Sequence, residues 1–433
     1  MINFDKLLPS IRGNLNLIRN SSWLVFEQVI RLANGLLLGV FIARSYSPEA
    51  FGTYSLLVAL FSLLLPVSRF GLDQVCVREF TGLAGRDAGR VASSSFFISL
   101  LSASCLILIV LLGLHLSKFD IEGFGLVLIL LLLSLYSSCF NFVDFWFQSK
   151  TNSAPVARVK ILCSVLSLLI KLAMVHYAVD LKYIISMVAV EALLVSICYI
   201  FLYGFKYRYF GFKLSLDISY IPKMSRSGFY ILISSMFVIV NTRIDQFFIS
   251  YYLGNHELGL YAAVVKINEA VAVIPFILSV SLLPMLTKLY SSDGSRFNSV
   301  IRLMYQFFSF YSLVLFAIVY LLGENLITFI YDEKYSASAS AFLILSGTCF
   351  FNCISIVNAR YLMIKGQEHL ITVRVFGCSV LNVVFNYFLI PVYGIEGAAV
   401  STLISSVMMA LCFDSVYSDL FRIRYYSFLK RSL

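Results

Sequence analysis

Twelve apolar runs of bilayer-crossing length recur along the 433 residues, and this pattern alone restricts the chain to one class of fold. A helix needs about 20 predominantly apolar residues to span a membrane. The runs fall at roughly 22–43, 50–68, 91–114, 121–143, 154–177, 182–203, 225–252, 258–285, 303–322, 336–357, 369–390 and 393–415. Inside lipid every backbone N–H and C=O needs a partner within the protein, which a helix supplies from its own residues. The expected fold is an all-α integral membrane bundle of about twelve transmembrane helices. A composition of 60% hydrophobic and 13% charged residues agrees, since it lies outside the range of a soluble domain.

Lys and Arg outnumber acids 33 to 23, an excess that in another setting would suggest a nucleic-acid partner. Its placement argues for a membrane instead. An even number of crossings puts both termini on one side. If that side is the cytoplasm, twenty-one of the cations sit on inner segments and only Arg44, Lys118, Lys182 and Lys334 on outer ones. That is the positive-inside pattern, and it predicts cytoplasmic termini. The basic and aromatic stretch Tyr203–Lys213 (YGFKYRYFGFK) then reads as an interfacial belt. Residues 1–20 read as a short amphipathic segment on the membrane surface, with no signal-peptide cleavage site. Nine cysteines occur without a CxxC spacing, so no metal or cofactor is expected.

Gly52-x-Tyr54 recurs as Gly259-x-Tyr261 at an offset of 207, close to half the chain. The expectation is two six-helix lobes, 1–210 and 211–433, around a central cavity. No loop is long enough for an extramembrane domain, so the work must be done inside the bundle.

Charges within the runs are costly, at roughly 2.5–3.5 kcal/mol for an arginine at mid-membrane, and should face protein or water. Arg243 and Lys171 have no acid at i±3 or i±4 on their own helices. Arg31 has Glu27 four residues before it, and Lys266 has Glu269 three after it. These four cations, ranked Arg243, Lys171, Arg31, Lys266, are the candidates for binding an anionic substrate. Arg158, Lys160, Arg226 and Arg374 lie near helix ends, where snorkelling accounts for them. The deep acids Glu27, Glu191, Asp245 and Glu269 equal the deep cations in number, and any of them is a candidate for ion coupling, Asp245 first. Asn34 and Asn241, related by the repeat offset, are candidates for sugar contacts or for bonds between helices. Pro66, Pro275 and Pro284 are candidate hinges.

Five pieces in order resemble a known family: Trp23–Leu57, Arg69–Phe80 (RFGLDQVCVREF), Asp144–Lys150 (DFWFQSK), Asn241–Ala263 and Pro391–Thr402. The chain resembles the Wzx-type flippases of polysaccharide repeat units, within the multidrug, oligosaccharidyl-lipid and polysaccharide exporter superfamily. The resemblance implies alternating access and an undecaprenyl-diphosphate-linked oligosaccharide as substrate, moved to the outer leaflet of a bacterial inner membrane. It further implies a polysaccharide polymerase and chain-length proteins as partners, and no catalysis. Two other readings stay open. One is a cation-coupled drug or metabolite antiporter of the same superfamily. The other is a membrane-embedded polymerase or ligase, against which the short outer loops count.

Overall fold

The chain follows its apolar runs almost one for one. The structure is a computed structural model that describes residues 4–83, 85–117, 125–205 and 220–411. Lys118, the residues 206–213 of the aromatic and basic stretch, and the cations beyond 411 lie outside the described residues. The helices are α1 (Phe4–Ser45), α2 (Pro48–Arg69), α3 (Leu72–Phe80), α4 (Gly85–Ser117), α5 (Gly125–Ser134), α6 (Phe142–Ser149), α7 (Ala154–His176) and α8 (Leu181–Phe205). There follow α9 (Ile221–Leu253), α10 (Asn255–Ser292), α11 (Gly294–Tyr331), α12 (Ala339–Ile364) and α13 (Glu368–Leu411). α1 runs unbroken from Phe4, so the segment expected to be a separate surface helix is continuous with the first crossing.

Among the described residues, eleven helical stretches are long and apolar enough to cross a membrane. The last of them, α13, is 44 residues long and kinks at Gly394 (φ 60°, ψ −140°), so it holds both the eleventh and the twelfth expected runs. Pro391 cannot donate a hydrogen bond at the break, and glycine adopts the positive φ without Cβ strain. Pro66, Pro275 and Pro284 lie inside helices that carry on through them, so the break at Gly394 is at none of these prolines.

Two compact units can be distinguished: Met1–Leu38 with Leu57–Met236, and Gly39–Leu56 with Phe237–Leu433. The change-over is at 236, where the repeat had suggested 210, and the tip of the α1–α2 hairpin counts with the second unit.

In the second unit the repeated glycines meet. A Cβ on Gly52 would overlap the carbonyl of Asn255, and a Cβ on Gly259 would overlap the carbonyl of Pro48, which is 207 residues before Asn255. The crossing of α2 and α10 is thus reciprocal. Membrane helices gain no hydrophobic drive from one another, so close packing through small residues carries such a contact. Asn255 Nδ2 donates to Thr53 Oγ1 across it at 3.2 Å.

Arg44 and Lys334, two cations expected on outer segments, have structural work in this unit. Arg44 donates to the carbonyls of Phe329 and Ile330 (the latter at 2.8 Å), at the end of α11. Lys334 Nζ donates to the carbonyls of Arg44 at 2.9 Å and Tyr46 at 2.7 Å, at the end of α1. Positive groups satisfy orphan carbonyls where the helix dipole is negative, which gives these two cations a structural role.

Candidate functional site: a charge-paired cavity in the first unit

The first unit holds a cavity of about 730 Å³, lined from α1, α2, α3, α6, α7 and α8. α1 supplies Glu27 and Arg31; α2 supplies Phe61, Leu65 and Arg69; α7 supplies Lys160 and Ser164; α8 supplies Glu191, Val195 and Tyr199. Spacings of four and eight put those side chains on single helix faces. Asp73, Gln74 and Arg78 arrive on α3 because the chain breaks at Phe70 (φ 53°) and Gly71 (φ 64°). A phenylalanine at positive φ costs about 1–3 kcal/mol. The turn is held where Gly71 packs on the Gly228 carbonyl, leaving no room for a Cβ. Asn141, Asp144 and Gln148 come from the start and face of α6, which follows a 3₁₀ segment at Leu135–Phe140.

The ionised groups of the lining are paired. Arg31 lies 3.6 Å from Glu27 and also bonds Gln28, and Arg69 lies 3.5 Å from Asp73. Lys160 Nζ meets Asp144 Oδ2 at 2.6 Å, and Gln148 Nε2 donates to the other Asp144 oxygen at 2.9 Å. Glu191 is held by Lys171 at 2.8 Å, and Arg78 lies 3.5 Å from Glu79. Among the described residues, three buried atoms in the same lining have no hydrogen-bond partner: Arg69 Nε, Asp73 Oδ1 and the hydroxyl of Tyr199. Val67 of α2 and Phe70 just beyond its end border a second hollow of about 630 Å³, walled mainly by Phe97, Leu101, Leu106 and Ile109 of α4.

Of the residues ranked from sequence, Arg31, Glu27 and Glu191 line this cavity, and Lys171 stands behind Glu191 as its counter-ion. Asn34 does not reach it freely: its Nδ2 donates to Ser164 Oγ at 2.8 Å, bridging α1 to α7. The others form a separate cluster in the second unit. There Arg243 meets Glu269 at 2.8 Å, while Lys266 is 3.9 Å from the other oxygen of that carboxylate. Asp245 accepts from the Tyr261 hydroxyl at 2.5 Å and from the Gln246 amide at 2.9 Å. Asn241 Oδ1 is buried without a hydrogen-bond partner among the described residues. Arg243 and Lys171, with no acid three or four residues away on their own helices, each find one on a neighbouring helix.

The cavity's polar wall inside an otherwise apolar bundle is what a carrier of a polar cargo requires, and comparison with known proteins narrows the class. The profile of the family described as "Polysaccharide biosynthesis protein" matches residues 17–290, which include every lining residue named above. The chain belongs to the polysaccharide biosynthesis protein family. A protein of Shigella flexneri named as an O-antigen transporter is 22% identical over 422 residues, covering 93% of this chain and 98% of its own. An uncharacterized membrane protein of Methanocaldococcus jannaschii is 22% identical over 426 residues, covering 90% and 82%. Among solved structures, the lipid II flippase MurJ in an inward closed conformation superposes with a TM-score of 0.74 at 15% identity, over 93% of this chain and 90% of that one. An inward-facing multidrug resistance MATE transporter of the MOP superfamily gives 0.69 at 14%, over 92% and 96%. The Wzx-type resemblance and the two-lobed membrane fold both stand.

Within this family framework, sequence reasoning missed Arg69, Asp73, Arg78, Asp144, Lys160 and Tyr199 as site residues. Lys160, assigned to snorkelling, instead grips Asp144 in the cavity. Arg374, given the same explanation, is 3% exposed and donates to the Ser355 carbonyl at 3.3 Å. The available signal was the set of pieces that carried the family resemblance, since Arg69–Phe80 and Asp144–Lys150 supply much of the wall.

Proposed function

We propose that this protein is a flippase that carries an undecaprenyl-diphosphate-linked oligosaccharide repeat unit, O-antigen or a similar surface polysaccharide. It moves the unit from the cytoplasmic to the outer leaflet of a bacterial inner membrane by alternating access, with both its own termini cytoplasmic. The observation that carries this reading is the 730 Å³ polar cavity. Moving hydroxyls through lipid without partners costs roughly 2–7 kcal/mol per group, and a wall of donors and acceptors offsets that cost. Among the cations ranked from sequence, Arg31, with a side chain 58% exposed and its carboxylate partner at 3.6 Å, is the one that lines the cavity and can meet the diphosphate. The polyprenyl chain stays on the lipid side. Polysaccharide polymerase and chain-length proteins would act on the delivered unit.

Family membership favours this reading over drug antiport, and deletion in the host tests the difference. The expected result is loss of surface polysaccharide with accumulation of the lipid-linked unit on the cytoplasmic side. Unchanged polysaccharide with raised sensitivity to toxic cations would replace the flippase reading by the antiporter one. Complementation with Arg31→Ala is expected to restore protein in the membrane but lower export at least tenfold, the worth of one charge-assisted hydrogen bond. Wild-type export by that variant would remove Arg31 from the mechanism.

A further inference from the structure

The cavity wall is dense in hydrogen-bonding atoms and quenched in charge. Each ionised side chain that lines it has a counter-ion within 3.6 Å. An anion entering there must compete with carboxylates already in place, whereas a hydroxyl, donor and acceptor at once, fits a wall of both kinds. The three unpartnered atoms complete the pattern. Arg69 Nε can only donate, Asp73 Oδ1 can only accept, and the Tyr199 hydroxyl does either. Tyr199 is 1% exposed, so its hydroxyl is bought at the cost of desolvation with nothing in return from the protein. A phenylalanine would fill the same space without that cost. Buried polar atoms left unpaired in a cavity point to a ligand that pairs them.

We infer that Tyr199, Asp73 and Arg69 form a saccharide subsite that reads the hydroxyls of an uncharged sugar residue of the lipid-linked cargo. Phe61 and Phe145, on the same wall, offer apolar faces to the C–H side of the ring. The diphosphate is left to the exposed Arg31. This assignment rests on the flippase reading and says which part of the cargo the cavity selects.

The test uses the full chain in lipid nanodiscs and two probes: undecaprenyl diphosphate, and the same lipid carrying N-acetylglucosamine or galactose. The wild type is expected to bind at least one sugar-bearing probe about tenfold more tightly than the bare lipid. Tyr199→Phe should lose about tenfold for that probe and nothing for the bare lipid, with an unfolding temperature at or above that of the wild type. Asp73→Asn, at a half-exposed side chain, gives the same contrast should the first variant not fold. Equal binding of all probes by the wild type, or an equal loss for sugar-bearing and bare lipid in the variants, overturns the saccharide subsite and leaves the flippase reading standing. No binding of any probe by the wild type overturns the flippase reading and the subsite with it.

Discussion

Gly259→Val is expected to remove most of the folded protein from the membrane, and Gly52→Val to do the same. At each position the first atom of a side chain would overlap a backbone carbonyl, of Pro48 in one case and Asn255 in the other. A flexible side chain can swing away from an intruder, but a carbonyl inside a helix cannot move without its helix. Overpacking a core against side chains costs typically 1–3 kcal/mol. Here α2 and α10 must separate, and the bond from Asn255 to Thr53 is lost with the contact. The total is a large part of the roughly 5–15 kcal/mol that holds a typical native protein together. Gly113→Ala, with open space around the glycine, serves as the control and should change nothing. The measurement is membrane accumulation together with the unfolding temperature in detergent. Wild-type values for both valine variants would show that the crossing is looser than the glycine pair implies.

That crossing also marks the limit of what the residues alone could say. The repeat was legible as Gly-x-Tyr at an offset of 207, but its purpose needed the two copies in contact. Crossings were legible because burial in lipid demands unbroken apolar runs, and a run is a local property. Ion pairs between helices are not local. A search at i±3 and i±4 finds Glu27 for Arg31 and cannot find Glu191 for Lys171, twenty residues on, or Asp144 for Lys160, sixteen residues back. The same search made Arg243 look unpartnered when Glu269 on α10 lies 2.8 Å away. Tyr199 was one of 26 tyrosines, most of them packing or interface residues. What distinguishes it is an orphan hydroxyl at a cavity wall, a property that exists only in three dimensions.

Lys171→Met is expected to destabilise the protein by up to about 3–5 kcal/mol, because it leaves the Glu191 carboxylate at the cavity wall without its counter-ion. The double variant Lys171→Met with Glu191→Leu should recover most of that loss, since replacing both members of a buried pair by apolar groups of similar size is often neutral. Comparing the two separates structure from transport. Lys171 is 5% exposed and stands behind Glu191, whereas Glu191 itself borders the cavity with a side chain 27% exposed. A purely structural pair would let the double variant fold and export polysaccharide at the wild-type rate. If the carboxylate instead serves the cargo, the double variant should fold and fail to export. The single variant Glu191→Gln should then fail as well while Lys171 remains in place. Measured unfolding temperatures set beside surface polysaccharide distinguish these outcomes. Recovery of both stability and export in the double variant would take Lys171 off the list of substrate-binding cations and leave Arg31 as the ranked cation that borders the cavity.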